Sequence, residues 1–423
     1  MRRVVGSLLV VLIAASPAAA QVQAPAMRAV TFDDAVDEAV TRNPTVAQAA
    51  TTVARAEAIL AQARSQLRPQ ITANLDSVTL DTETGFEGGV IQPRHQLTFG
   101  GTVSMPLLAL SRRSTREQAR DQVEVATLST AEVRRQIAVA AAQTYLSIIS
   151  AKRQVEVEER ALENARAHLD YAQRRFEGGV GSRLNAVRAA QAVAGEEARL
   201  ENVRLALRQS QEALGVVLAE DGPVDASAEP ALDTPMALDE SAWMTARPDL
   251  VVQGARIRAA ERIVRDSWKD VSPFAEATFD PRYVTPAGLF QPSRTWRFTI
   301  SVSQPIFQGG LQRAVRRERE ILFDQSKIVL TELEIQARSE VRLAQASLSS
   351  LERSLEISRR AAENADEVLR ITTTAFEVGA TTNLEVIDAQ RSARDAGSTV
   401  TVAQDAVQRA RLDLLVAIGR FPR

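Results

Sequence analysis

Glu385 and Asp388 stand three residues apart in a segment with helical patterning, so they share one helix face and place two negative charges together. Asn185 and Arg188 hold the same spacing at the matching place of an earlier segment. The chemistry open to such a set is that of fixed charge, or of an ordinary solvated helix face. Other chemistries lack their residues. There are no cysteines, which excludes disulfides, thiolate metal sites, a cysteine nucleophile and N-terminal acylation through a cysteine. His95 and His168 are the only histidines, and neither has carboxylate or histidine neighbours at ligand spacing. No nucleophile elbow and no HExxH is present. Gly178, Gly179 and Gly181 look superficially like a phosphate-binding loop, but no strand precedes them, and a helix-reversal turn needing positive φ fits better. No catalytic residue, metal or cofactor is assigned.

The segments that position these groups are written twice. Asn43–Asp76 lies over Arg247–Asp280 without a gap, matching Pro44 to Pro248, Pro69 to Pro273 and Asp76 to Asp280. Further on, Phe176-Glu177-Gly178-Gly179 followed by Leu184 matches Phe376-Glu377-Val378-Gly379 followed by Leu384. A repeat this long is a duplicated structural unit rather than a short solenoid motif. The chain therefore divides into a leader at 1–20, a first repeat at 21–220, a linker at 221–240 and a second repeat at 241–423. Each repeat is expected to hold a helix, a β-hairpin and a long helical hairpin.

The leader has Arg2 and Arg3, a short apolar run over Val4–Ala15, and small residues Ala18-Ala19-Ala20 before Gln21, which is the pattern of a cleaved secretory signal. No later stretch reaches eighteen apolar residues, so any membrane span must be made of strands. The formal charge is −2, and losing Arg2 and Arg3 would take it to −4, which is no footprint for nucleic acid. Only Lys152, Lys269 and Lys327 among the 51 basic residues are lysine, a bias we read as codon usage. Aromatics at 4% are too few for a usual compact core, whereas closely packed long helices tolerate the abundant Ala.

Within each repeat a first helix is expected from Thr31 or Asp33 to about Leu67, and again from about Asp239 to Asp270, stopped by Pro69 and Pro273. Two strands follow. Gln96–Met105 alternates strictly, with Leu97, Phe99, Gly101, Val103 and Met105 on one face, and Pro106 is read as its end. Trp296–Ser303 does the same, and shorter alternations surround Ile71–Asp76 and Ala275–Asp280. One dry and one wet face is implied. The links Thr84–Arg94 and Thr285–Ser293 read as hairpin loops. Ser111–Phe176 and Leu311–Phe376 then run without Pro or Gly, long enough for helices of roughly 100 Å. Near their ends Leu162, Ala165, Leu169, Ala172 and Phe176 make a seam spaced three then four, repeated from Ala362 to Phe376. Turns at Glu177–Arg183 and Glu377–Asn383 lead into return helices, and Ala219–Leu238 reads as a linker with little regular structure.

Four alternating strands cannot close a barrel, since single-chain bacterial barrels start at about eight. The apolar faces need lipid and the open edges need partners, so several chains must share one barrel, and the attached helices would extend it as a duct.

At this point the sequence resembles the TolC-like outer-membrane efflux protein family. The pattern Phe32, Ala35, Ala39, Asn43-Pro44, the opening Arg247-Pro248-Asp249-Leu250, the run Pro305-Ile306-Phe307 before Gly309-Gly310, and the two Phe-Glu-x-Gly tips each followed by Leu carry the likeness. It covers nearly all of the mature chain. The resemblance implies a mixed, mostly α fold: a homotrimeric TolC-like channel in which a shared twelve-stranded outer-membrane β-barrel, four strands per chain, continues as a long α-helical periplasmic tunnel. It implies a passive duct for efflux or type I secretion, beside a periplasmic adaptor protein and an inner-membrane pump of the RND, MFS or ABC type, set in outer-membrane lipid. It further implies that Glu385 and Asp388 ring the periplasmic aperture near Asn185 and Arg188, with Arg183 or Arg188 as candidate ionic partners. The hairpin tips, Gly179, Val180, Gly181 and Ser182 with Gly379, Ala380, Thr381 and Thr382, would dock the adaptor. Phe86, Tyr283, Phe290 and Trp296 are candidates for an interfacial aromatic girdle. The competing class is a non-conducting exported coiled-coil tether, which has no use for strands with a wet face. A periplasmic hydrolase has no residues to support it.

Overall fold

The computed structural model of the chain describes residues 27–235 and 239–421; the leader expected at 1–20 lies outside them. A short strand β1 (Arg28–Val30) precedes α1 (Phe32–Arg42). Thr31 caps α1 by accepting from the Asp34 N–H, and Asp33 and Asp34 sit in the first turn, where the helix dipole favours negative charge. The single helix expected to run to Leu67 is broken at Asn43. Pro44 has no N–H to donate, so Asn43 ends α1 and caps α2 (Pro44–Ser65), its Oδ1 accepting from the Thr45 N–H at 2.9 Å.

β2 (Gln70–Thr79), a small hairpin of β3 (Thr84–Phe86) and β4 (Gly89–Gln92), and β5 (His95–Ala109) follow. α3 (Leu110–Glu177) is 68 residues long and reverses into α4 (Arg183–Leu218). After β6 (Val224–Ala226) come α5 (Glu240–Ala246) and α6 (Pro248–Arg265), parted at Arg247-Pro248 by the same proline effect. A 3₁₀ turn at Asp266–Val271, β7 (Phe274–Thr285) and β8 (Arg294–Ser303) lead to α7 (Leu311–Glu377), 67 residues, and α8 (Asn383–Ala417).

The four long strands form one antiparallel sheet in the order β2-β5-β7-β8. Its register lines up the alternation seen in the sequence. Leu75 lies opposite Phe99, Phe99 opposite Tyr283, and Phe279 opposite Phe298 on one face; Asp76 lies opposite Thr98, Thr278 opposite Thr299, and Asp280 opposite Arg297 on the other. On the polar face the Thr102 hydroxyl donates to Asp280 Oδ1 at 2.6 Å. Every residue of β2 and β8 is exposed, and each of these strands has a neighbour on one side only. β5 does not stop at Pro106. The ladder with β7 shifts between Pro106 and Leu108, and this irregularity absorbs the residue that has no N–H.

The helices pack as pairs, α3 with α4 and α7 with α8, and α3 meets α8 across the two halves. In the first pair most of the expected seam is buried, with Leu162 and Ala165 of α3 against Val193 and Leu200 of α4 and Ala172 buried below them, but Phe176 at its end is exposed. The densest packing lies at mid-length of the long helices. Ala138, Ala141 and Ala142 are fully buried, which lets neighbouring backbones approach closely around Leu146, Ile148 and Leu412. Residues 219–235 of the expected linker hold more regular structure than their composition suggested. β6 pairs in parallel with β1, Arg28 opposite Val224, and the Tyr145 hydroxyl donates to the Ala228 carbonyl at 2.7 Å.

The strand register is testable because the native chain has no cysteine to interfere. A polar thiol reagent should label Thr299→Cys and Ser301→Cys in assembled protein and spare Ile300→Cys. Labelling of Ile300→Cys alone would invert the two faces.

Candidate functional site

Both helical hairpins end in the same backbone device. After α3, Gly179 takes φ +73°, its N–H donates to Phe176 O at 3.0 Å, and the Val180 N–H donates to Arg175 O at 3.0 Å. After α7, Gly379 takes φ +79°, its N–H donates to Phe376 O at 3.1 Å, and the Ala380 N–H donates to Ala375 O at 2.8 Å. This pair of bonds is the Schellman motif, which satisfies the last helical carbonyls and requires a left-handed residue. Gly181 is needed for a different reason: a Cβ there would lie 2.8 Å from the Phe176 nitrogen. The next residue starts each return helix. The Ser182 hydroxyl accepts from the Leu184 N–H at 3.2 Å, and the Thr382 hydroxyl accepts from the Glu385 N–H at 3.4 Å.

That second cap positions the carboxylates. Glu385 lies in the first turn of α8, where the helix dipole favours an anion. Val386, Ile387 and Ala389 are buried, so the same helix turns Glu385 and Asp388 outward, and both are exposed. Asp388 has only Arg391 at 3.9 Å, a weak exposed contact. Asn185 and Arg188 border a cleft with Thr381, Thr382 and Asn383. Among the described residues no ion pair joins Arg183 or Arg188 to Glu385 or Asp388.

The two hairpins are joined instead by groups that sequence reasoning passed over. His168 of α3 is buried, and its Nε2 is 2.7 Å from Asn383 Oδ1 at the start of α8. Burial pushes the His168 pKa down, partly offset by the Asn383 bond. Phe376 is buried against the His168 ring at 5.2 Å and the Tyr171 ring at 5.5 Å. The Tyr171 hydroxyl donates to Glu377 O at 3.1 Å, and the Arg175 guanidinium donates to Phe376 O. Higher up, Gln154 Nε2 donates to the Ser398 hydroxyl at 2.7 Å, and Arg394 of α8 pairs with Glu196 of α4, their side chains 5% and 11% exposed. None of these partners has a local signal, since each pair is about two hundred residues apart. The one hint was His168 itself, set within the Leu162–Ala172 seam.

Elsewhere, Phe86 stacks on Phe290 at 6.4 Å, and the Leu289 N–H donates to Val90 O at 2.8 Å, so the two distal loops are locked to one another. No group of three or more His, Cys, Asp or Glu suited to a metal occurs among the described residues. No described helix is long and apolar enough to cross a membrane.

With this geometry in place, the comparisons are specific. The model of the outer membrane efflux protein family matches residues 35–220 and 245–420. The chain is 29% identical to outer membrane protein OprJ of Pseudomonas aeruginosa over 74% of its own length and 65% of OprJ, just under two thirds of that relative. It is 23% identical to the pyoverdine export outer membrane protein OpmQ of Pseudomonas putida, over 90% of this chain and 82% of OpmQ. A CusC crystal structure superposes with a TM-score of 0.81 at 20% identity, covering 93% of both chains. The Campylobacter jejuni CmeC outer membrane channel superposes with a TM-score of 0.78 at 15% identity, covering 92% of this chain and 85% of CmeC. Likenesses at these identities establish the fold, which is that of TolC-like channels.

Removing Arg394 leaves the buried Glu196 with only the exposed Arg199 at 3.9 Å beside it. Arg394→Met should cost about 3 kcal/mol of stability, and adding Glu196→Gln should recover most of it. Thermal melting of the two variants in detergent checks the sign and the recovery.

Proposed function

The chain belongs to the outer membrane efflux protein family, and from that premise we propose that it is the outer-membrane channel of a tripartite export system. It is a protein of the outer membrane, and its family and fold are those of channel proteins. In this reading three copies join their sheets into one twelve-stranded barrel, and their helices form a periplasmic tunnel about 100 Å long. The observation that carries it is the sheet: four strands, one continuous apolar face, one polar face, and an unpaired edge on each side. Such a sheet suits lipid outside and water inside only when closed by further copies. A non-conducting tether gives the polar face no purpose.

The same reading treats 21–220 and 241–423 as two repeats joined by 221–240, behind a leader at 1–20; the two family matches support that division. The duct is passive and carries out no catalysis, and an inner-membrane pump supplies the energy through a periplasmic adaptor. Glu385 and Asp388 of three copies form a carboxylate ring at the periplasmic aperture beside Asn185 and Arg188. Gly179–Ser182 and Gly379–Thr382 meet the adaptor.

Planar-bilayer recording tests this function. The purified protein should form cation-selective pores that multivalent cations plug, and Glu385→Ala with Asp388→Ala should weaken both properties while assembly persists. Absence of any conductance would favour the tether. Unchanged selectivity and block in the double variant would return the two carboxylates to solvated surface. At the tips, Gly379→Glu strains a positive-φ position and adds charge where the adaptor docks. It should abolish export in cells while membrane levels of the assembled protein stay normal.

A further inference from the structure

The only histidine among the helices sits where the two hairpins meet. His168 is 7% exposed, and its partner Asn383 is 4% exposed. With Asn383 Oδ1 accepting, the neutral ring carries its proton on Nε2, and the ring lies against Phe376. Asn383 is the first residue of α8, so the bond ties the body of the first hairpin to the start of the helix that carries Glu385 and Asp388. We propose that this buried histidine is a proton-operated catch, holding the helical tip together at neutral pH and releasing α8 when the periplasm turns acidic.

The surroundings favour release. An imidazolium would face the N-terminal end of α8, which carries the positive end of the helix dipole. Arg175 of α3 packs over the Phe376 and Tyr171 rings, and Arg188 of α4 stands in the adjoining cleft, both positive. From α7 Glu377 lines the cavity beside the ring, and its carboxylate is exposed, where water screens it. From α8 Asn383 bonds the ring and Gln390 lines the same cavity, and neither side chain is ionisable. Burial lowers the pKa of the ring in the closed arrangement, and the ring regains its ordinary value once the contact opens. The open arrangement therefore binds the extra proton. The closing contribution is complete above the ordinary histidine pKa and is lost as pH falls from there through the lowered value. Asn383 Nδ2 and the Thr381 hydroxyl are also buried without a protein partner, so few polar bonds oppose a rearrangement of this turn.

This inference rests on reading the tip as the closed end of a channel, and the test separates the two. Single pores are recorded in planar bilayers while the helical side alone is taken from about pH 7.5 to about pH 5.5, across the range in which a histidine changes charge. The expected result is a severalfold rise in conductance for the native protein. His168→Gln, which can still donate to Asn383 but cannot charge, should conduct at the neutral level throughout. His168→Arg should be open already at neutral pH, and His95→Gln should respond as the native protein does. A native pore with no acid response, or one whose response survives in His168→Gln, overturns the catch and leaves the channel reading standing. No pore in any variant overturns the channel reading. Imidazole NMR of the intact His95→Gln protein gives a check that leaves position 168 untouched: its single histidine should titrate below the ordinary value at the closed tip, and titration at or above that value contradicts the proposal.

Discussion

The backbone along Gln70–Thr79 and Arg294–Ser303 governs this molecule. These strands are the two edges of the sheet, and each presents a row of N–H and C=O groups with no strand partner among the described residues. In hydrocarbon every such group left unsatisfied costs several kcal/mol. The sheet's apolar face calls for that hydrocarbon, with Ile71, Phe298, Ile300 and Val302 all more than half exposed in the single chain. In the reading proposed above, both demands are met together when one copy's β8 edge pairs with the next copy's β2 edge around a closed ring.

The helical part carries the same incompleteness downward. Ile321, Ile328 and Ile335 of α7 recur every seven residues and are exposed in the single chain, as an apolar coiled-coil stripe would be before its partner arrives. Inside the chain, stability is concentrated elsewhere, around the fully buried alanines of α3 and the clasp of β1 on β6. The tip is held differently again. A few polar and aromatic contacts around Phe376, His168 and Asn383 join the hairpins there, and the buried Arg394–Glu196 pair lies behind them. In the reading proposed above, a densely packed middle and a lightly fastened end suit a duct that opens at that end without coming apart.

Much of this was legible from residue order because local rules sufficed. Alternation in Gln96–Met105 and Trp296–Ser303 placed the strands and their faces. The absence of Pro and Gly in Ser111–Phe176 and Leu311–Phe376 placed the long helices to within a residue of their ends. The glycines at 179 and 379 marked the reversals, and the structure supplies the reason in two Schellman turns. What escaped was non-local or too short to read. Three-residue strands such as β1 and β6 have no period to detect. The breaks at Pro44 and Pro248 were in plain view but were outweighed by the helical pattern on either side. Pro106 stayed within its strand because the neighbouring ladder could shift around it. The partnership of His168 with Asn383 links residues 215 apart, and no spacing rule reaches that far. Glu385 and Asp388 are proposed as aperture residues on helix spacing and family likeness, and the fold adds that both lie on the exposed side of α8.

The most direct measurement of the central claim is the native mass of the purified protein in mild detergent, with denaturing mass as the reference. The open edges of the sheet predict three chains in one particle. A folded monomer that keeps its strands in detergent would mean that the edges can be satisfied without neighbours, and it would contradict the shared barrel on which the account stands.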